Sequence, residues 1–259
     1  MRDCFLCGGK GDSCARVDSH DYLRCPDCGL VYVDSIEPAD KLYSSYDGGF
    51  WKSLRRKLFM PFRSFTGARH FDRSMERANR IFNRVLSVGP KEVPNPTFLD
   101  IGCNKGFLLA AALSHGWDVH GIELIPELTL PFKRQYPRVA NHVYASDFTG
   151  AQTTMKNEMF DAITAIDVIE HFEEPLRDME NIFRILKPGG VLLLQTPDTD
   201  NSMAVELKER WGALKPKEHL HLFNQKNLGL LARKLGFKGP EVFEAFDTED
   251  GNFVAVLRK

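Results

Sequence analysis

"FLDIGCNKGFLL", Phe98 to Leu109, is an apolar strand-like run that breaks at a glycine and resumes as an apolar helix-like run. A strand that enters a helix through a glycine turn usually seats a nucleotide-like ligand. The spacing here is Gly102-x-x-x-Gly106. It differs from the G-x-G-x-x-G turn that packs a dinucleotide pyrophosphate against a helix N-terminus. A longer gap suits a ligand without phosphate, which argues against a nicotinamide enzyme.

Working outward from this stretch, apolar runs alternate with helical patterns. Strands are expected at residues 97–101, 117–122, 142–145, 160–166, 191–196, 242–246 and 253–257, with the last two forming a hairpin. Helices are expected at 105–115, 126–136, 176–186 and 224–235. The first is stopped by Gly116, the third by Lys187-Pro188-Gly189-Gly190 and the fourth by Gly236. Such alternation builds a parallel sheet with helices on both faces. A further helix at 75–86 should pack beside the sheet ahead of its first strand.

These residues resemble the class I S-adenosylmethionine-dependent methyltransferases over roughly residues 70–259. Asp100-Ile-Gly102-Cys103-Asn104-Lys-Gly106 is similar to their first motif, and Glu123 in "HGIEL" to the acid that closes the second strand. Asp147 in "ASDF" matches the acid after strand three, "FDAITAIDVIEHF" the fourth motif, and "LKPGG" the turn before strand five. The family often has glycine where Asn104 stands, but asparagine tolerates positive φ better than most residues. The resemblance implies a seven-stranded Rossmann-like α/β sheet, its last strand antiparallel, and S-adenosylmethionine as cofactor.

The residue chemistry agrees with that cofactor, which carries an amino acid, a sulfonium and an adenosine. Asp100 is placed to orient the ammonium. Gly102, Cys103, Asn104, Gly106 and Phe107 would pass the methionine moiety. Glu123 lies twenty-one residues after Gly102, the distance at which a second-strand carboxylate accepts both ribose hydroxyls; Leu124 follows it. Asp147 and Phe148 suit the adenine, and Asp167 and Val168 come from the fourth motif. Methyl transfer needs an aligned nucleophile and, for a hydroxyl acceptor, a base, a role suited to histidine. His171 in "DVIEH" and His219 and His221 in "KEHLHLF" are the candidates; a strand through "EHLHLF" would put the last two on one face. His171 has an alternative role, a structural hydrogen bond that orients the Asp167 loop. Asp167-x-x-Glu170-His171 also resembles the divalent-metal cluster of ubiquinone-pathway O-methyltransferases.

A separate site is written into the first thirty residues. Cys4-x2-Cys7 and Cys25-x2-Cys28 stand seventeen residues apart, each pair followed by a glycine, Gly8 or Gly29. That spacing fits a closed four-thiolate structural zinc, with short strands at 22–24 and 30–33 making a zinc ribbon. Cys14 is a bystander.

Charge divides the chain further. Residues 1–50 carry five Lys/Arg against nine Asp/Glu, residues 51–91 eleven against two, and residues 92–259 eighteen against twenty-four. The implied domains are a zinc ribbon at 1–38, a basic helical lid or linker at 39–92 and the methyltransferase domain at 93–259. "FWKSLRRKLFMPFRSF", residues 50–65, reads as a basic amphipathic lid over the acceptor, with contact to an anionic membrane as the alternative. No apolar run approaches 18 residues and the first residues lack an apolar signal core, so a cytoplasmic protein with free or metal-bound thiols is expected. The acceptor is expected to be a small molecule or a glycan or natural-product precursor, methylated at oxygen or carbon and possessing negative charge if it meets the basic segment. A ribosomal RNA substrate is disfavoured because the ribbon is acidic and the only basic stretch is at residues 51–63. A non-catalytic scaffold is disfavoured by the intact acids from Asp100 to Asp147.

Overall fold

Residues 2–36, 68–247 and 251–259 are described by the computed structural model. They fall into two units. Residues 2–36, 166–183, 193–247 and 251–259 belong to one, and residues 68–165 with 184–192 to the other. The basic stretch at 50–65 lies outside the described residues.

In the second unit, α1 (Ala68–Val88) buries Ala78, Ile81, Phe82 and Val85, the spacing of one helical face. It begins earlier than the sequence suggested. The ring of Phe82 meets those of Phe98 and Trp117 edge-on at 5.4 and 5.5 Å. β4 (Thr97–Ile101) is buried from Phe98 onward. It pairs in parallel with β5 (Asp118–Glu123), Asp100 lying opposite Gly121. α2 (Phe107–Ser114) buries Leu108 through Ala112; a helix apolar on all sides belongs inside. α3 (Pro126–Gln135), β6 (Val143–Ala145), the single turn α4 (Phe148–Ala151) and β7 (Phe160–Ile166) follow.

α5 (Pro175–Ile185) leads into β8 (Leu186–Pro197), which begins one residue before the Lys187–Gly190 turn and takes it in, ahead of the expected start at 191. Gly189 lies in the left-handed region there, with φ 78°. The chain continues through α6 (Ser202–Leu207), β9 (His221–Leu222), α7 (Gln225–Lys234), β10 (Lys238–Glu244) and β11 (Asn252–Arg258). α7 starts on a reciprocal cap between Asn224 and Asn227. The sheet order is β10-β11-β8-β7-β4-β5-β6, seven strands, with β10 and β11 antiparallel to each other. This is the Rossmann-like methyltransferase sheet.

The first unit contains a second sheet. β1 (Asp12–Val17), β2 (His20–Arg24) and β3 (Val31–Val33) form a meander, and β9 adds to its edge. β1 and β9 were not foreseen as members of this sheet. Val31 and Tyr32 lie opposite Leu222 and His221. Tyr22, Val31, Val33, Trp211, Ala213, Leu220 and Leu222 make one buried cluster, so the N-terminal meander and residues 203–222 share a core.

A buried carboxylate clamps the lower ends of β4 and β7. Asp161 accepts from the Thr97 N–H and hydroxyl, both at 2.8 Å, and from the Lys187 ammonium at 2.7 Å. Asp161→Ala leaves these donors unmatched and should lower unfolding free energy by about 2–4 kcal/mol. Urea denaturation checks this; an unchanged midpoint would show that the clamp contributes nothing.

Candidate functional site

The turn after β4 is held by backbone bonds to the next strand. Gly102 and Cys103 both donate their N–H groups to the Ile122 carbonyl at 2.9 Å, and Gly106 N–H closes back on Cys103 at 2.8 Å. Gly102, Asn104 and Gly106 all have positive φ, 74°, 48° and 80°. Asparagine therefore occupies a left-handed position that the family usually gives to glycine. At Gly106 a Cβ would come within 2.7 Å of the Phe132 ring, so this position needs glycine for space as well as conformation. The Cys103 side chain is buried under Gly121, whose own Cβ would stand 2.8 Å from its Sγ. Burial pushes that thiol well up, so its part in the turn is played by the backbone.

Glu123 closes β5 and ties two loops. Oε2 accepts from Asn104 N–H at 2.8 Å and Oε1 from Ile125 N–H at 2.9 Å. Burial raises its pKa while these amides pull it down. Each oxygen retains a lone pair for a further donor. Leu124 beside it is exposed, and the Phe107 ring stands 5.5 Å from that of Phe71. Asp100 is buried and accepts from the Thr164 hydroxyl at 2.7 Å. Its carboxyl is pushed up to about 7 by burial, against the Thr164 bond, with Glu123 adding repulsion. Such a group is uncomfortable when ionised and gains from an ammonium beside it. Asp147 is the N-cap of α4, accepting from Gly150 N–H at 2.7 Å, and Phe148 is buried behind it.

The other unit carries the fourth-motif residues and the histidines. Asp167 has φ 56°, a strained conformation for an aspartate that concentrates at functional sites. Its Oδ1 accepts from Asn252 Nδ2 at 2.9 Å and Gln195 Nε2 at 3.0 Å; Val168 next to it is half-buried. Glu170 points inward. Thr196 donates to it at 3.0 Å, and burial, with Asp167 adding repulsion, raises it to about 8.

All three histidines direct Nδ1 at a backbone carbonyl: His171 at Glu218 (2.8 Å), His219 at Ala213 (2.8 Å) and His221 at Phe172 (2.9 Å). A carbonyl only accepts, so each Nδ1 carries the proton and each neutral ring has its lone pair on Nε2. The rings of His171 and His219 meet at 4.9 Å. His221 instead packs edge-on to Phe5 at 5.1 Å. The shared face expected of His219 and His221 is not formed, because β9 contains only His221 and Leu222. His219 sits in a turn closed by its own N–H on Lys215 at 2.7 Å. Burial lowers all three, His219 and His221 to about 3, and His171, half-exposed, in the same direction. His171 is bound to Glu218 and also to the Asp167 loop, through a backbone hydrogen bond with Asp167 and its own N–H on Val168 O at 2.9 Å. Among the described residues, Glu170, His171 and His219 have ligand-type atoms within 4.8 Å of one another, while Asp167 is engaged by Gln195 and Asn252.

The four head cysteines converge. Their sulfurs all lie within 4.8 Å, with Cys4–Cys28 at 3.5 Å and Cys7–Cys25 at 3.3 Å. A tetrahedron with arms of about 2.3 Å has edges of about 3.8 Å. Two like turns present them: Gly8 N–H bonds Cys4 O, and Gly29 N–H bonds Cys25 O, at 2.8 and 2.9 Å, with both glycines at positive φ. The thiol set and its geometry fit a zinc ion. Cys14 instead donates to the Tyr22 carbonyl at 3.3 Å.

Asp100 has a consequence for pH. A folded-state value near 7 lies above the ordinary 3.8, so its contribution is fully present at low pH and is lost as pH rises towards 7 and beyond. Asp100→Asn should therefore stabilise the cofactor-free protein at pH 8, on the order of 2–4 kcal/mol, and hardly at all at pH 4. Urea denaturation of both proteins at the two pH values measures this; a difference that does not grow with pH would refute the raised carboxyl.

A methyltransferase-domain model matches residues 69–242. The chain is 33% identical over 131 residues to a ubiquinone biosynthesis O-methyltransferase of Actinobacillus pleuropneumoniae, covering 48% of this chain and 50% of that one. It thus spans about half the length of the curated relatives it matches. A SAM-dependent methyltransferase from Archaeoglobus fulgidus superposes with TM-score 0.56 at 13% identity, covering 71% of this chain and 94% of that one. A 1,6-didemethyltoxoflavin-N1-methyltransferase of Burkholderia thailandensis, with S-adenosylhomocysteine bound, gives 0.55 at 16% identity over 96% and 99% of the two chains. With the matched segment running from α1 into β10 and including Asp100, Glu123, Asp147, Asp167 and the three histidines, the chain belongs to the methyltransferase-domain family, with the class I S-adenosylmethionine-dependent fold.

Proposed function

We propose that the protein methylates a small hydroxylated acceptor, or a glycan or natural-product precursor, at oxygen. The observation that carries this reading is the Glu123 carboxylate, fixed by the Asn104 and Ile125 amides and still able to accept from a ribose. The curated relatives named as O-methyltransferases favour oxygen over carbon as the acceptor atom.

S-adenosylmethionine, when bound, supplies an electrophilic methyl group on a sulfonium. Asp100 would hold its ammonium, and the turn from Gly102 to Phe107 its methionine part. Glu123 and Leu124 would hold the ribose, Asp147 and Phe148 the adenine, and Asp167 and Val168 the rim. His171 is assigned as the base. With its Nδ1–H on Glu218 O, Nε2 is the atom that would take the acceptor's hydroxyl proton as the oxygen attacks. His219 meets that ring edge-on, and His221, buried against Phe5, donates to the carbonyl of Phe172, next to His171.

Incubation with labelled cofactor and a panel of phenols, catechols and hydroxylated sugar derivatives tests the reading through transfer of label to acceptor. His171→Gln should lower kcat about 10²–10⁴-fold with cofactor affinity retained. The lowered pKa of His171 places the wild-type acid limb below about 6.5, since protonation removes the lone pair. Full activity in the variant would exclude His171 as base.

Zinc is assigned to Cys4, Cys7, Cys25 and Cys28, in the domain order of ribbon (1–38), basic linker (39–92) and methyltransferase domain (93–259). The basic residues of the linker suit an anionic acceptor. Thiols held as metal ligands suit a reducing compartment such as the cytoplasm; among the described residues no helix is long and apolar enough to cross a membrane. Metal analysis of the purified protein should return about one equivalent of zinc, and Cys28→Ser should lose it. Metal-free protein with four rapidly alkylated thiols would exclude the assignment.

A further inference from the structure

The loop from Ala213 to Leu222 supplies the carbonyls that orient two of the acceptor-side imidazoles. Ala213 O receives His219 Nδ1–H and Glu218 O receives His171 Nδ1–H, both at 2.8 Å. A third carbonyl of the loop, His219 O, receives a hydroxyl from outside it. The donor is Tyr22 of β2, at 2.9 Å, and Tyr22 is fully buried. Val33 N–H of β3 reaches Leu220 O at 3.1 Å, and among the described residues β9 pairs with β3 at the edge of the sheet. Two residues of strand cannot fix their own position, so the loop is held on one side by the meander it joins and on the other by Glu170, whose carbonyl accepts Leu220 N–H at 2.8 Å.

The meander in turn is set by the cysteine turns. Cys25 and Cys28 lie in the connection between β2 and β3, and the Cys25 N–H closes it on Leu30 O at 2.9 Å. A bonded path therefore runs from the thiolates to β2 and β3, through the Tyr22 hydroxyl and the β9 ladder, to the carbonyls that hold His171 and His219. We propose that Tyr22 is a positioning residue for the His171–His219 pair, and that the cysteine head is a strut of the reaction site. This rests on the assignment of those histidines to the acceptor side.

The test is Tyr22→Phe in the full-length, zinc-loaded protein, with nitrogen-15-labelled histidine followed by NMR. Removing the hydroxyl leaves His219 O unmatched and frees the loop. His171 and His219 should move from pure Nδ1–H signatures towards the tautomer mixture of free imidazole, and the Leu220 and Leu222 amides should exchange about tenfold faster. Zinc content and affinity for S-adenosylhomocysteine should stay within twofold of wild type. With an acceptor from the panel, kcat should fall about tenfold and KM for the cofactor should hold. Unchanged imidazole signatures and exchange rates in a folded variant would overturn the proposal. Altered imidazoles with undiminished kcat would uphold the strut while removing His171 from the reaction. If the variant does not fold, chelating zinc from the wild-type protein must produce the same imidazole changes, and their absence would equally overturn the proposal.

Discussion

The Ile122 carbonyl accepts two N–H groups, from Gly102 and Cys103, and the cofactor half of the molecule follows from that fork. Parallel pairing of β4 with β5 brings the strand ends level, Ile101 beside Ile122. The fork then turns the chain back over the neighbouring strand within two residues, which demands positive φ at Gly102 and again at Asn104 and Gly106. Once the turn is down, Asn104 N–H faces Glu123 Oε2, and α2 starts close enough to Phe132 that no Cβ fits at Gly106. A parallel ladder, a double acceptor and three left-handed residues together fix the carboxylate that a ribose would meet.

That half was legible because its signals are local. The strands at 97–101 and 160–166 follow from short apolar runs bounded by turn residues, and Asn104 from its tolerance of the left-handed region. The carboxylates were placed correctly at strand ends, yet their present partners were not foreseen. Asp147 caps a single-turn helix and Glu123 bridges two amides. Both are short-range bonds whose existence depends on backbone direction after the strand, which composition does not encode.

The histidine half was less legible, for a reason of range. A period-2 reading of "EHLHLF" presumes a regular strand, but pairing is available for only two of those residues because β3 is three residues long. Which two depends on a contact between residues 31–33 and 221–222, about 190 positions apart in the chain. Nothing near His219 announces that its carbonyl will meet Tyr22. Cysteine spacing predicted the thiol cluster well, since ligands three positions apart in a turn are a local geometry, but not the additional strand that the head's sheet accepts.

Electrostatics separates Asp100 and Glu170 from the histidines. Asp100 and Glu170 are each driven up by burial and each receives one hydroxyl bond, from Thr164 and Thr196. Arg77 pulls Asp100 back down, but burial outweighs it. Glu170 also fixes chain geometry through its backbone, since its carbonyl accepts Leu220 N–H at 2.8 Å, and a neutral acid there is stable without a ligand. The histidines run the opposite way, burial holding them neutral. A neutral imidazole with Nδ1 committed to a carbonyl is a one-sided base, and of the three only His171 keeps appreciable exposure. His221, driven to about 3 and enclosed by Phe5 and Phe172, meets no solvent path for a proton. The proton transfer proposed above would use the His171 ring, whose Nδ1 is held by Glu218 O.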